Sequence, residues 1–275
     1  MDQGGPRFKT IDGLSIRYAE SARLPTQRGD ALLLSPWPES VYAFEPAWEK
    51  LAQNAHLIAI DLPGFGRSER RDALMSPRAM GEFVLRAADA FDLEHPHVVG
   101  PDVGTAAALF AGALSPQRLR SLVVGTGGAA VPLQLGGVLR EWVEAPNIES
   151  YRRIDGRQIV TAAMTSLERY APTDAARADY LESYAGERFA ESMAYVRNYP
   201  AELPVLRDLL PEVKLPVLIL NGRRDPVVPP ANAEFLHDRL PDSQLVFLDA
   251  AHFIWEDAAD EYAAHVTAWW DTQAT

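Results

Sequence analysis

Residues 97–112 constrain the fold of this chain more than any other stretch. The apolar run His97-Val98-Val99 leads into Gly100-Pro101-Asp102-Val103-Gly104, and the small apolar run Thr105-Ala106-Ala107-Ala108-Leu109-Phe110-Ala111-Gly112 follows. The pattern is a strand, a sharp turn and a helix, with a glycine on each side of the turn. The residue at the tip of that turn is an aspartate. A carboxyl group with a reference pKa of about 3.9 is already an anion at neutral pH. Carboxylate attack suits displacement at saturated carbon and leaves an alkyl ester on the protein.

The rest of the chain alternates strand and helix. Phe8 to Ile11 and Leu14 to Tyr18 predict an opening hairpin around Asp12-Gly13. Ala31 to Leu34 and Leu57 to Ile60 are short apolar strands. They end at Ser35-Pro36-Trp37-Pro38 and at Asp61-Leu62-Pro63-Gly64-Phe65-Gly66-Arg67-Ser68. Ser76-Pro77 starts a helix that runs to Phe91, with proline suited to the first turn. Leu119 to Val124, Pro216 to Leu220 and Gln244 to Leu248 are further strands, with a helix over about Asn232 to Leu240 and a closing helix over Asp257 to Trp270. This alternation implies a mostly parallel sheet covered on both faces, and the unalternating Val217-Leu218-Ile219-Leu220 suits its centre. Residues 130–213 break the pattern: they are mostly helical, with several prolines and tyrosines and no clear strand. We expect residues 1–129 and 214–275 to form one α/β core. Residues 130–213 are expected to form a helical cap inserted over the active-site end, with Gly125-Thr126-Gly127-Gly128 as the exit from the sheet.

Two more loops carry chemistry. Asn221-Gly222-Arg223-Arg224-Asp225-Pro226 follows a strand and puts Asp225 beyond its carboxyl end. Asp249-Ala250-Ala251-His252-Phe253 does the same for His252 after the last strand. Open parallel sheets bind ligands at the carboxyl ends of their strands. Three loops thus deliver Asp102, Asp225 and His252 to one edge, in the chain order nucleophile, acid, histidine.

With serine at its centre, the frame at residues 100–104 is the nucleophile elbow of the α/β-hydrolases, whose chain order this is. The chain resembles a capped α/β-hydrolase of the aspartate-nucleophile subgroup that includes epoxide hydrolases and haloalkane dehalogenases. Ser35-Pro36-Trp37-Pro38-Glu39-Ser40 resembles the His-Gly-aromatic-Pro-Glu-Ser segment of epoxide hydrolases. Asp61 to Ser68 resembles the family's turn after the next strand, and Gly100 to Gly104 resembles their Gly-His-Asp-Trp-Gly elbow. The likeness covers nearly the whole chain outside the cap.

The resemblance implies the α/β-hydrolase fold, a mostly parallel central sheet flanked by helices, with an inserted helical cap. It implies no metal and no organic cofactor. It also implies a two-step reaction: Asp102 attacks an electrophilic carbon, and His252 then activates the water that hydrolyses the ester. Asp225 orients the imidazole and stabilises its charged form. By position, the amides of Trp37 and Val103 form the oxyanion hole. Pro36 lacks an N–H, but the donor required belongs to the next residue. Epoxide hydrolases protonate the departing alkoxide with cap tyrosines. Tyr195, in Ala194-Tyr195-Val196-Arg197-Asn198, resembles the second of these with a shift of one residue, and Tyr151 suits the first by position. Tyr151, Tyr195 and Trp37 are the expected substrate-binding residues.

Two departures bear on the substrate. Ser35-Pro36 replaces His-Gly, and Val103 replaces the tryptophan that donates to halide in dehalogenases of this kind. Trp37 sits where a side chain helps bind halide in some relatives. The leading expectation is hydrolysis of a small apolar epoxide through an alkyl-aspartyl ester. Dehalogenation of a haloalkane or haloacid stays open, as does hydrolysis of an ester, a lactone or a C–C bond. So does a non-hydrolytic natural-product enzyme or a binding protein on the same fold.

Composition narrows the partners. A formal net charge of -12 repels phosphate backbones and anionic membranes. The absence of cysteine excludes disulfides, iron–sulfur clusters and thiolate zinc sites, and it fits a reducing compartment. The start, Met1 to Arg7, is polar without a signal-peptide core, and no apolar run nears the roughly 20 residues of a membrane helix. We therefore expect a cytoplasmic monomer or homodimer acting on a small molecule and water, with no nucleic-acid or membrane partner. Among the other polar residues, Asp61 is expected to tie down its glycine-rich turn, and Asp249 is the rival acid beside His252. His95 and His97 lie at the far end of their strand, and His56, His237 and His265 have no partner by spacing.

Overall fold

A computed structural model describes residues 5–273; of the polar start, residues 1–4 lie outside the described residues. The strands are β1 (Arg7–Ile11), β2 (Leu14–Glu20), β3 (Asp30–Leu34), β4 (His56–Ile60), β5 (His97–Pro101), β6 (Ser121–Gly125), β7 (Val217–Gly222) and β8 (Ser243–Leu248). They form one sheet in the order β1-β2-β4-β3-β5-β6-β7-β8. The β1–β2 and β2–β4 pairs are antiparallel, and all pairs from β4 through to β8 are parallel. The opening hairpin turns at Asp12 (φ 52°) and Gly13 (φ 77°), two left-handed residues in succession, as a two-residue hairpin loop requires.

The first half of the chain contributes α1 (Glu45–Asn54), α2 (Pro77–Ala90) and α3 (Val103–Leu114). Between β6 and β7 come α4 (Gly137–Glu144), α5 (Glu149–Arg152), α6 (Gly156–Met164), α7 (Asp174–Ser183), α8 (Arg188–Val196) and α9 (Tyr199–Leu209). The chain ends with α10 (Ala231–His237), α11 (Ile254–Asp257) and α12 (Ala259–Thr272). The closing segment is thus two helices rather than one from Asp257, because Ala258 (φ -130°, ψ 36°) interrupts the run. Ser76 begins α2 as anticipated: its hydroxyl accepts from the Ala79 amide, and Pro77 occupies the first turn.

Alternate side chains of the central strands point to opposite faces. Leu32, Leu34, Val98, Leu122 and Ile219 enter the core shared with α2, α3 and α9. Ala31, Leu33, Val99, Val123 and Leu218 enter the core shared with α1, α11 and α12. Strands buried on both faces need apolar residues at every position, which explains why β3 to β7 lack alternation. The edge strand β8 is only half-buried.

Strand order decides where the site lies. β3 sits between β4 and β5, so the chain leaves β3 for one side of the sheet and later places β5 on the other. The loops after β3 and β5 diverge and leave a crevice at their carboxyl ends. Trp37 and Asp102 stand in those two loops. The helices between β6 and β7 are pinned above the sheet by buried polar contacts. Arg17 of β2 donates to both carboxylate oxygens of Asp179 on α7, at 2.9 and 2.7 Å. Arg188 of α8 donates to the Gly66 carbonyl at 2.9 Å.

Candidate active site

Asp102 adopts φ 52°, ψ -122°, outside the regions open to ordinary residues. Strain of this kind costs about 1–3 kcal/mol and persists only where the surroundings impose it. Here β5 and α3 close tightly around the turn. A Cβ on Gly100 would lie 2.5 Å from the Gly104 carbonyl oxygen, and one on Gly104 would lie 3.2 Å from Leu34 Cβ. The Asp102 amide donates to the Gly125 carbonyl at 3.0 Å, and the Thr105 hydroxyl donates to the same carbonyl at 2.8 Å. The turn is therefore locked to β6, and the carboxylate is presented at the sheet's carboxyl edge.

The three loops converge. Asp102 Oδ2 accepts from the Trp37 amide at 2.7 Å. Asp102 Oδ1 faces His252 Nε2 at 3.6 Å. His252 Nδ1 contacts Asp225 Oδ2 at 2.8 Å. Asp225 Oδ1 accepts from the amides of Val227 and Val228 at 2.8 and 2.9 Å. Asp225 thus both shapes its own turn and holds the imidazole, one oxygen for each task. The Val103 amide opens α3, where helix N–H groups have no intrahelical partner. Burial alone would lower the His252 pKa, but the charge of Asp225 and then the contact with Asp102 outweigh it and push it up to about 10. At neutral pH the imidazole is a cation between two carboxylates.

A cavity of about 530 Å³ opens onto Asp102 and His252. Its wall is largely apolar, with Trp142, Ile154, Ile159, Val227 and Phe253 among its members, and it includes no lysine or arginine. The Trp37 indole also lines it, stacked on Phe189 (centroids 4.8 Å apart, interplanar angle 17°) and met edge-on by Trp142 at 5.1 Å. Tyr151 is also among the residues that line the cavity.

Tyr195 corrects the reading from sequence. It is fully buried outside the cavity wall, and its hydroxyl donates to the Val103 carbonyl at 2.8 Å. A phenol committed to the elbow's backbone braces the turn and does not present its proton to the cavity. The Trp37 indole N–H is likewise committed, donating to Ser192 Oγ at 2.8 Å, so it is no halide donor. Asp249 is exposed and pairs with Arg224 and Arg169, which removes it as a rival acid. Asp61 does tie down its turn, accepting from the amides of Val41 and Arg67 at 2.8 and 2.9 Å. His97 is buried against Trp270 and Ser121, and burial, then the charge of Arg120, pushes its pKa down to about 3. His56 has the partners that spacing did not reveal: Asp30 at 2.9 Å and Glu20 at 3.3 Å, from the neighbouring strands. Among the described residues no three His, Asp or Glu side chains gather as a metal site requires. Nor is any helix there long and apolar enough to cross a membrane.

Sequence reasoning missed Trp142 and the buried Glu39 and Glu256. Trp142 carries no local signal, since only tertiary packing turns α4 toward the sheet. The two glutamates lie in the segments after β3 and β8 and are held by residues distant in sequence, Glu39 by the Trp255 indole and Glu256 by the Tyr180 hydroxyl.

A mostly parallel sheet that sets a strained strand–helix turn against an acid–histidine pair defines a class of hydrolytic enzymes. The chain belongs to the alpha/beta hydrolase fold family, whose sequence model matches residues 32–259. It is similar to the 2-hydroxymuconate semialdehyde hydrolase of Pseudomonas sp. strain CF600, at 28% identity over 225 residues, 79% of this chain and 77% of that protein. It is also similar to the pimeloyl-[acyl-carrier protein] methyl ester esterase of Neisseria meningitidis, at 27% identity over 256 residues, 90% and 78% of the two chains. Its fold matches the crystal structure of the enol-lactonase from Burkholderia xenovorans LB400 with a TM-score of 0.79 at 16% identity, covering 96% of this chain and 100% of that one.

Proposed function

We propose that this hydrolase opens an uncharged epoxide through an ester on Asp102. The observation that carries the reading is the Asp102 carboxylate itself, with one oxygen held by the Trp37 amide at 2.7 Å and the other facing His252 at 3.6 Å. Oδ1 is the attacking oxygen in this reading, because Oδ2 already occupies the oxyanion position. As the C–Oδ1 bond forms, the ring C–O bond breaks and its electron pair leaves on the alkoxide. Tyr151 is the proposed acid, as the phenol lining the cavity.

The resting ion pair then becomes useful. Esterification removes the negative charge of Asp102, one of the groups that hold the proton on His252. His252 sheds that proton, which restores Tyr151, and becomes a neutral base. It next deprotonates water, and hydroxide adds to the ester carbonyl. The oxyanion on Oδ2 is met by the Trp37 and Val103 amides. Collapse expels the diol alkoxide, which takes the proton back from His252; the Asp102 carboxyl left behind then gives its proton to His252, restoring the resting ion pair, and Asp225 steadies the imidazole whenever it is charged.

The cavity supports a neutral substrate. The muconate semialdehyde of one relative is a carboxylate by name, and a buried carboxylate needs a cationic partner. No lysine or arginine lines the cavity; the His252 cation on its wall is already flanked by Asp102 and Asp225, and Asp102 and Glu141 on the same wall would repel an anion. Dehalogenation is less well supported, since Val103 offers no side-chain donor and the Trp37 indole serves Ser192. The esterase and lactonase likenesses favour a second reading, ester or lactone hydrolysis with Asp102 in the usual serine position.

A single turnover of trans-stilbene oxide in ¹⁸O-labelled water separates these. An ester on Asp102 puts the label into the Asp102 peptide and leaves the first-turnover diol unlabelled. Label in that diol, with Asp102 unlabelled, overturns the mechanism.

A further inference from the structure

The cavity runs from a closed floor to an open, apolar mouth. At the floor, Trp37, Asp102, His252 and Phe253 are each no more than 5% exposed. At the mouth the wall continues in Val138 of α4 and in Ile154, in the turn before α6, which are 51% and 38% exposed. Among the described residues six large apolar side chains stand this far out in solvent, and two of them line this one cavity. Exposed apolar side chains are ordinary when scattered singly; two at one opening carry the apolar wall out to the surface. The helix α6 joins floor to mouth. Its Ile159, Ala162 and Ala163 recur at the spacing of one helical face and line the cavity, and the Ser166 hydroxyl beyond them donates back to the Ala163 carbonyl at 2.6 Å. Glu141 and Gln158 complete the exposed part of the wall, and the Glu141 charge disfavours a carboxylate at the outer end of a ligand. At about 530 Å³ the cavity lies within the roughly 300–1,000 Å³ that receives drug-sized ligands, far more than a three-membered ring fills.

We propose that the substrate carries a long, uncharged apolar chain on its reactive ring, and that Val138 and Ile154 are specificity-determining residues that hold the outer part of that chain. The ring chemistry rests on the epoxide reading given above; the preference for a chain rests on the cavity alone. With the reacting carbon at Asp102 on the floor, the apolar wall leads a chain outward past α6 to Val138 and Ile154. Inner methylenes are covered by the buried wall. Outer ones cover the surface of Val138 and Ile154 that water otherwise touches. Each methylene taken out of water tightens binding about fourfold. The chain is remote from the breaking bond, so it is held equally in the ground state and in the transition state. It therefore lowers KM and leaves kcat as it is.

The test has a binding arm, which needs no turnover, and a kinetic arm. In the first, 1-hexanol, 1-octanol and 1-decanol are titrated into the whole protein and followed by tryptophan fluorescence, to which Trp37 and Trp142 on the cavity wall contribute. Kd is expected to fall about fourfold per added methylene. The double variant Val138→Ser/Ile154→Ser is expected to lose that gain between octanol and decanol; both sites are exposed, so the fold tolerates serine there. In the second arm, kcat/KM for 1,2-epoxyhexane, 1,2-epoxyoctane and 1,2-epoxydecane rises by the same factor per methylene, through KM. The double variant lowers the decane-to-hexane ratio of kcat/KM about tenfold. Val205→Ser is the control: Val205 is 40% exposed on α9 and outside the cavity wall, and its replacement leaves the ratio as in wild type. Alkanols that do not bind, a Kd that does not fall with chain length, or a double variant that keeps the wild-type dependence overturns the proposal. So does an equal effect from Val205→Ser. If the alkanols behave as expected and none of the epoxides is turned over, the epoxide reading fails while the preference for a chain stands.

Discussion

Replacing Asp179 by asparagine is expected to loosen the helices above the sheet by a calculable amount. Arg17 and Asp179 form a two-pronged ion pair at 2.9 and 2.7 Å, with side-chain exposures of 4% and 8%. Asp179 also accepts from Ser40 Oγ at 2.6 Å and lies 3.3 Å from Arg67 Nε. Removing one member of a buried pair typically costs 3–5 kcal/mol, because a desolvated charge is left behind. Asp61 remains 3.4 Å from Arg17 and offsets part of that charge, so the lower end applies, about 3 kcal/mol. The assay is urea unfolding followed by tryptophan fluorescence, with Asp179→Asn compared to wild type. The double variant Arg17→Met/Asp179→Leu separates the pair from its parts: it is expected to lose less than the sum of its single variants, since no charge is stranded. A loss below about 1 kcal/mol for Asp179→Asn would refute the reasoning and mean that the pair is hydrated in solution.

Two further predictions concern the imidazole. Asp225→Asn keeps the turn bonds to Val227 and Val228 but removes the charge behind His252; kcat is expected to fall about 10³- to 10⁴-fold, with the ester accumulating in rapid-quench experiments. His252 also predicts a stability profile. Its pKa is raised from 6.5 to about 10 in the fold, so the ion pair contributes fully below pH 6.5 and is lost as pH rises through about 10. The stability difference between wild type and His252→Gln should therefore shrink over that window by a few kcal/mol, on the order set by linkage. Urea titrations at pH 6.5, 8 and 10 check it, and a difference independent of pH would count against the charged resting state.

How much of this was readable from sequence follows from which forces act locally. Strand positions were readable because a doubly covered sheet demands unbroken apolar runs, as in Val217-Leu218-Ile219-Leu220. The meeting of Asp102, Asp225 and His252 was readable because strand–loop alternation sends all three loops to one edge. The direction of a side chain on an inserted helix was not. Tyr195 and Tyr151 look alike in sequence, yet the Tyr195 hydroxyl is spent on Val103 while Tyr151 is among the residues lining the cavity. Trp142 and the Tyr180–Glu256 hydrogen bond were invisible for the same reason. They arise where segments distant in sequence pack together, and no local period records that. The break at Ala258 was also missed, since Asp257 to Trp270 carries an uninterrupted helical pattern while the backbone turns after α11.

The central claim is the ester on Asp102. Its most direct test is the intact mass of His252→Gln after exposure to trans-stilbene oxide and a panel of smaller epoxides. The account predicts a stable increase equal to one whole epoxide, mapped by peptide fragmentation to Asp102. A folded variant that acquires no such mass from an epoxide the wild type hydrolyses, or that acquires it at another residue, would contradict it.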